Sequence, residues 1–258
     1  MIREYHRPKT LEEALEWLAR PNTLPLGGGT VLNQQKDADI TVVDLQALSL
    51  DKIHKSGEKL EIGATATLQS LLDYAHTPEV LKKTLRLEAP LNLRNMGTVA
   101  GALVSCDGRS PFAAAMLALD AKVTLVGKQP AQSEAQGSTV ISLGNLLPLR
   151  TETLSGKLIT KIEILLNVQL AYEQVARTPT DKPILCAALA QWASGRTRLV
   201  IGGWGASPSL AMDGRDATGL EPAARNAAHN AQDQWASAEY RREVAAVLAR
   251  RCLEGISR

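Results

Sequence analysis

The chain has 258 residues, of which 45% are hydrophobic and only 3% aromatic, with a single phenylalanine. That is enough apolar material for a sizeable core of aliphatic and alanine side chains, divided over one to three domains. Basic and acidic residues nearly balance, 29 against 27, which excludes a binder of nucleic acid or other polyanions that works through bulk charge.

The first readable element is a helix: Thr10-Leu11-Glu12-Glu13 forms a capping box, and Leu11, Ala14, Leu15 and Leu18 share one face up to about Arg20. Pro21-Asn22 stops it. Leu24-Pro25-Leu26 reads as a short strand and Ile40 to Leu45 as a buried one, giving a β/α lobe over residues 1–54. A second lobe, 55–168, opens with a strand at Lys59 to Ala64. A helix from Thr67 follows, with Leu68, Leu71 and Leu72 on one face, and another with Pro78 at its first position. After a loop-and-helix stretch come a strand at Lys122 to Val126, a polar surface connection over Gly127 to Ser138, and a strand at Leu158 to Ile164. Residues 169–258 then read as an α+β domain, with strands at Leu170 to Ala176, Ile184 to Trp192 and Arg198 to Ile201. The alanine-rich middle strand also suits a helix. Two helices close the chain, the last capped by Ser237 with Tyr240, Val244, Val247, Leu248 and Cys252 on its apolar side.

Two stretches of small residues stand out. Leu26-Gly27-Gly28-Gly29-Thr30-Val31-Leu32 follows a strand, and Gly97-Thr98-Val99-Ala100-Gly101-Ala102 precedes a wholly apolar helix with Ser110 at its N-cap and Pro111 at its first position. Each is open to a tight-turn reading. As loops whose backbone N–H groups point outward, the two together suit one extended diphosphate held from two sides. Asp107 and Arg109 are either loop charges in solvent or ligand groups, and Ile201 to Gly205 reads as a strand end and turn. The three cysteines and four histidines are scattered without metal-ligand spacing, so no metal is expected. With no apolar run of about 18 residues and no charged start before a shorter one, neither a membrane span nor export is expected, and the expected location is the cytoplasm.

The order of these segments resembles the FAD-binding medium subunit of the molybdenum hydroxylases, the family of carbon monoxide dehydrogenase and xanthine dehydrogenase. The resemblance runs through Pro25 to Leu32, Leu93 to Gly101, Ala118-Leu119-Asp120-Ala121, Leu158 to Ile164, Tyr172 to Arg177 and Ser237 to Arg242, almost the whole chain. It implies an α+β protein, a two-lobed FAD-binding fold followed by a smaller C-terminal domain, with FAD held non-covalently. Carried over by position, Leu26, Gly27, Gly28, Gly29, Thr30, Val31 and Leu32 form the first cofactor loop. Thr98, Ala100, Gly101 and Ala102 form the second, Asp107 and Ser110 lie near the cofactor, and Ile159 packs by the flavin ring. The chain departs from the family pattern Thr-Ile-Gly-Gly-Asn at Ala100 and Ala102, has Pro111 where a second Asp is usual, and has Gln174 in place of a usual lysine.

The implied role is an electron-transfer subunit, with substrate oxidised on a molybdenum-containing large subunit, electrons relayed by an iron-sulfur small subunit, and a small-molecule acceptor receiving them. The residues agree, since no acid/base pair or nucleophile constellation is evident and a flavin carries its own redox chemistry. Two alternatives stay open: a scaffold subunit that has lost flavin, suggested by Ala100, Ala102 and Pro111, and a free-standing flavin reductase or oxidase.

Overall fold

The structure, a computed structural model, describes residues 2–32, 39–127 and 137–256. The chain forms two compact units that interleave in sequence. The first comprises Met1–Ala75, Leu91–Ser105 and Lys122–Glu163, and the second His76–Pro90, Cys106–Ala121 and Ile164–Arg258.

The first unit holds two sheets. In the smaller, β1 (Ile2–His6), β2 (Thr23–Leu26) and β3 (Ile40–Asp44) run parallel in the order β1-β3-β2. Helix α1 (Leu11–Leu18) starts where the Thr10 side chain accepts the Glu13 amide at 3.3 Å, and buries Ala14, Leu15 and Leu18, as their spacing requires. These side chains form one core with Val43, Leu45, Val126 and Leu158, so the two sheets of this unit share apolar contacts. The larger sheet is ordered β4-β5-β8-β6-β7, from β4 (Ile53–Ser56), β5 (Lys59–Gly63), β6 (Lys122–Gly127), β7 (Gly137–Ser142) and β8 (Lys157–Leu165). Helix α2 (Leu68–Asp73) is capped by Thr67 and buries Leu68, Leu71 and Leu72. Short helices α4 (Leu91–Met96), α5 (Val99–Ser105), α7 (Leu143–Leu146) and α8 (Arg150–Thr153) complete the unit. Of the connection expected over Gly127 to Ser138, residues 128–136 lie outside the described residues, while its ends belong to β6 and β7.

The second unit is built on an antiparallel sheet ordered β12-β11-β10-β9, from β9 (Val168–Val175), β10 (Leu185–Trp192), β11 (Thr197–Gly202) and β12 (Ser209–Gly214). Residues Leu185 to Ala190 of β10 are all buried, which explains why this segment lacks alternation and reads equally as a helix. One face, through Ala187, Leu189, Leu199 and Ile201, packs on α9 (Leu220–Ala227) and α10 (Ala238–Ile256). Helix α6 (Pro111–Ala118), with every residue buried, also packs on β10 and β11, beside α3 (Glu79–Glu88). Pro78 stands at the N-cap of α3, one position before the place expected for it. Helix α10 buries Leu248 and Cys252 as read, with Val244 and Val247 half-buried, but Tyr240 is 44% exposed and the inward face also takes Arg241, fully buried, with Ala245 and Ala249.

Candidate functional site

Strand β2 delivers Leu26 to the start of the glycine stretch, and the structure brings that stretch against Met96 to Thr98 of the same unit. A Cβ at Gly28 would overlap the Met96 carbonyl oxygen and lie 3.1 Å from the Gly97 Cα. No side chain fits between these two backbones. At Gly27 a Cβ would meet the Thr98 side chain, 2.9 Å from Oγ1 and 3.1 Å from the γ-methyl. Gly29 has φ of +68°, the left-handed region that glycine enters without the Cβ penalty, and it turns the chain there. Leu26 to Thr30 and Leu32 are half-buried and Val31 is exposed.

The second stretch is not a loop beyond Thr98. Val99 to Ala102 are the first turn of α5, held by a segment that sequence reasoning missed, Ala64 to Leu68. The Leu68 amide donates to the Gly97 carbonyl at 2.9 Å, Val99 donates to Ala66 at 2.8 Å, and Ala100 donates to Ala64 at 3.2 Å. The Gly101 amide donates to Thr98 Oγ1 at 3.1 Å and Ala102 to the Thr98 carbonyl at 2.8 Å. The amides of Val99 through Ala102 are therefore all used inside the chain. By contrast, no hydrogen bond among the described residues uses the amides of Gly27, Gly28 or Gly29. Ala64 also donates to the Thr160 carbonyl at 3.1 Å, which ties the helix start to β8 next to Ile159, itself 6% exposed. The signal for the missed segment was present as Gly63-Ala64-Thr65-Ala66, a run of small residues between a strand and a helix cap.

Asp107 and Ser110 belong to the second unit. Asp107 accepts the Arg109 amide at 2.9 Å on one oxygen and pairs with Lys182 Nζ at 3.1 Å on the other, with both side chains about half exposed. Ser110 caps α6 as its position requires, accepting the Ala113 amide at 3.0 Å, and donates to Glu88 Oε2 at 2.8 Å. The same Glu88 oxygen accepts the Phe112 amide at 3.0 Å, so an internal carboxylate sits at the start of this apolar helix. Burial pushes the Glu88 carboxyl up, against the opposing bonds from Phe112 and Ser110. Between Asp107 and Arg109, the Gly108 amide donates to the Gly205 carbonyl at 2.8 Å and its carbonyl accepts the Gly203 amide at 2.5 Å. The 201–205 segment is thus a strand end and turn, as expected, and its partner is the chain itself.

A model of the FAD binding domain in molybdopterin dehydrogenase matches residues 1–164. The chain belongs to this family. It is the FAD-binding subunit of an oxidoreductase of the molybdenum hydroxylase type, with FAD as its cofactor. It is 28% identical over 226 residues to the glyceraldehyde dehydrogenase medium chain of Sulfolobus acidocaldarius, covering 81% of this chain and 78% of that one. To the carbon monoxide dehydrogenase medium chain of Afipia carboxidovorans it is 30% identical over 161 residues, 56% of each. Its fold matches a chain of the Cu,Mo-CO dehydrogenase with a TM-score of 0.78 and 25% identity, over 98% of this chain and 96% of that one. The resemblance and the α+β class expected from the sequence are both borne out.

The residues present suit FAD. Among the described residues the Gly27 to Gly29 amides enter no hydrogen bond, and backbone donors of that kind are what a bound diphosphate uses. Among the described residues no helix is long and apolar enough to cross a membrane, and no group of three His, Cys, Asp or Glu is disposed to hold a metal. All three cysteines are buried, and burial pushes the Cys186 and Cys252 thiols up to about 12, which leaves neither a nucleophile at neutral pH.

Proposed function

We propose that this FAD-binding subunit works as the electron-transfer station of a multi-subunit molybdenum hydroxylase. Electrons come from an iron-sulfur partner, a molybdenum-containing large subunit oxidises the substrate, and a small-molecule acceptor takes the electrons away. The observation that carries the reading is the glycine junction in a family member: backbone donors free at Gly27 to Gly29, buttressed by Met96 to Thr98. When bound, FAD supplies the redox chemistry, accepting electrons singly or in pairs. The chain's own part is to bind and orient. The amides of Gly27 to Gly29 face the diphosphate, Thr30 to Leu32 continue that loop, and Met96 to Thr98 form the support it rests on.

The test is isolation of the full chain from its source with whatever accompanies it. A larger molybdenum-containing chain and a smaller iron-containing one should co-purify, and substrate of the complex should bleach the flavin band only in their presence. A chain that purifies alone and whose flavin is reduced directly by a nicotinamide would make it a free-standing flavin reductase instead.

A further inference from the structure

In the resemblance, Thr98 is a cofactor residue and Gly27 and Gly101 are glycines because a ligand lies close. The geometry points to a different division of labour, resting on the reading that FAD sits against the 27–29 loop: we propose that Thr98 is a positioning residue, the peg on which that loop is seated. Its side chain is enclosed, with the residue 7% exposed. Oγ1 accepts the Gly101 amide at 3.1 Å and so closes the first turn of α5 in the manner of a side-chain cap. The same oxygen lies 2.9 Å from where a Cβ of Gly27 would stand and 2.8 Å from where a Cβ of Gly101 would stand. The γ-methyl lies 3.1 Å from the same Gly27 position. Gly27 and Gly101 are thus two sides of a socket for one threonine.

The neighbouring contact has the same character, since Gly28 is free of a Cβ to admit the Met96 carbonyl. Three of the glycines expected to face a ligand therefore face protein. Gly29 differs from these, since a Cβ there would meet only the end of a flexible side chain, a Leu26 methyl at 3.3 Å, and its φ of +68° turns the loop. Thr98 fixes where that loop starts, and the amides of the loop do the binding.

A size swap tests this on the full chain, with FAD affinity read by quenching of flavin fluorescence and stability by thermal melting. Gly27→Ala should weaken FAD binding by about tenfold or more and lower the melting temperature, because its methyl collides with Thr98. Thr98→Ala removes both colliding atoms, so in the double variant Gly27→Ala should cost no more than about twofold beyond Thr98→Ala alone. If Thr98 contacts the cofactor on its own account, the two losses multiply and the double variant binds more weakly than either single one. That outcome overturns the proposal. Should Gly27→Ala fail to fold, recovery of folded protein by Thr98→Ala reports the same pairing, and a double variant that also fails to fold counts against it. A wild-type chain that takes up no FAD overturns the cofactor reading of the loop, and the melting temperatures of the four proteins then decide the pairing by themselves.

Discussion

Both units join loops where glycine removes a side chain, at Gly28 against the Met96 carbonyl and at Gly108 against the Trp204 carbonyl, but the second also inserts one. At the glycine junction, Gly28 meets the Met96 carbonyl with nothing between, and the amides of the loop stay uncommitted. In the second unit the Arg241 guanidinium, fully buried, donates to the carbonyls of Ile184 at 3.1 Å, Ala231 at 2.9 Å and Gly203 at 3.3 Å, and to both oxygens of Asp233 at 2.9 Å. Each nitrogen of that fork finds a partner, and the carbonyls it ties have less left to offer a ligand. The difference separates two uses of irregular backbone: the Gly27 to Gly29 loop keeps its amides out of internal hydrogen bonds, whereas the turns around Arg241 have their carbonyls bound by its guanidinium. Gly203 depends on both, since its amide donates to Gly108 while its carbonyl accepts from Arg241.

The comparison breaks most readily at Arg241. Replacing it with Met keeps the apolar stem but orphans three carbonyls and leaves Asp233 without its cation, and should cost about 3–5 kcal/mol in denaturant unfolding. A loss below about 1 kcal/mol would mean that the turns hold themselves. Next comes Gly28→Ala, whose methyl must push the loop off Met96. Overpacking of that kind costs about 1–3 kcal/mol, and FAD affinity should fall by about tenfold or more because the loop moves as a body. An Ala variant with native affinity would place the cofactor away from this loop. Ser110→Ala should cost about 1–2 kcal/mol of stability through loss of the α6 cap, with FAD affinity unchanged if its hydroxyl serves only Glu88 and the helix. A drop in affinity without a change in melting would instead make Ser110 a ligand.

Elements with local signals were legible. Thr10, Thr67 and Ser110 each cap the helix that the sequence placed after them, and the strands at Lys59, Lys122 and Leu158 lie within a residue or so of expectation. What failed depends on contacts far away in sequence. Thr98 to Ala102 read as loop because small residues give no helical period, and the carbonyls of Ala64 and Ala66 that receive the first amides of α5 lie far earlier in the chain. Strands β1, β4, β7 and β12 went unread: they are short and carry mostly exposed or half-buried residues, so no apolar face marks them. At the site, the two glycine stretches were visible as a pair, but not that most of their glycines serve each other. Arg241 was hidden because a charged residue is assigned to solvent by default, and Asp233, its partner, sits in an irregular segment eight positions earlier.

The smallest expected effect is on acid stability, and it has two opposing parts within the second unit. Asp213 is held low by its bond from Arg196, with Arg198 adding to the pull against burial. A carboxylate lowered in the folded state gives stability that is present above the ordinary Asp value of about 3.9 and is lost as pH falls through the folded value. Glu88 behaves in the opposite sense. Burial raises its carboxyl above the ordinary Glu value of about 4.3, so stability present below that value declines as pH rises through the raised one, where the folded state must give up a proton it holds better than the unfolded chain does. Melting temperature against pH should therefore fall on the acid side in a way that Asp213→Asn flattens, and bend downward above the ordinary Glu range in a way that Glu88→Gln flattens. The slopes, and not the absolute temperatures, carry the test, because each variant also alters a hydrogen-bonded cluster. If Glu88→Gln leaves the upper limb unchanged, the carboxylate at the start of α6 is stabilised by the helix as strongly as burial opposes it, and the internal anion there is held at no net cost.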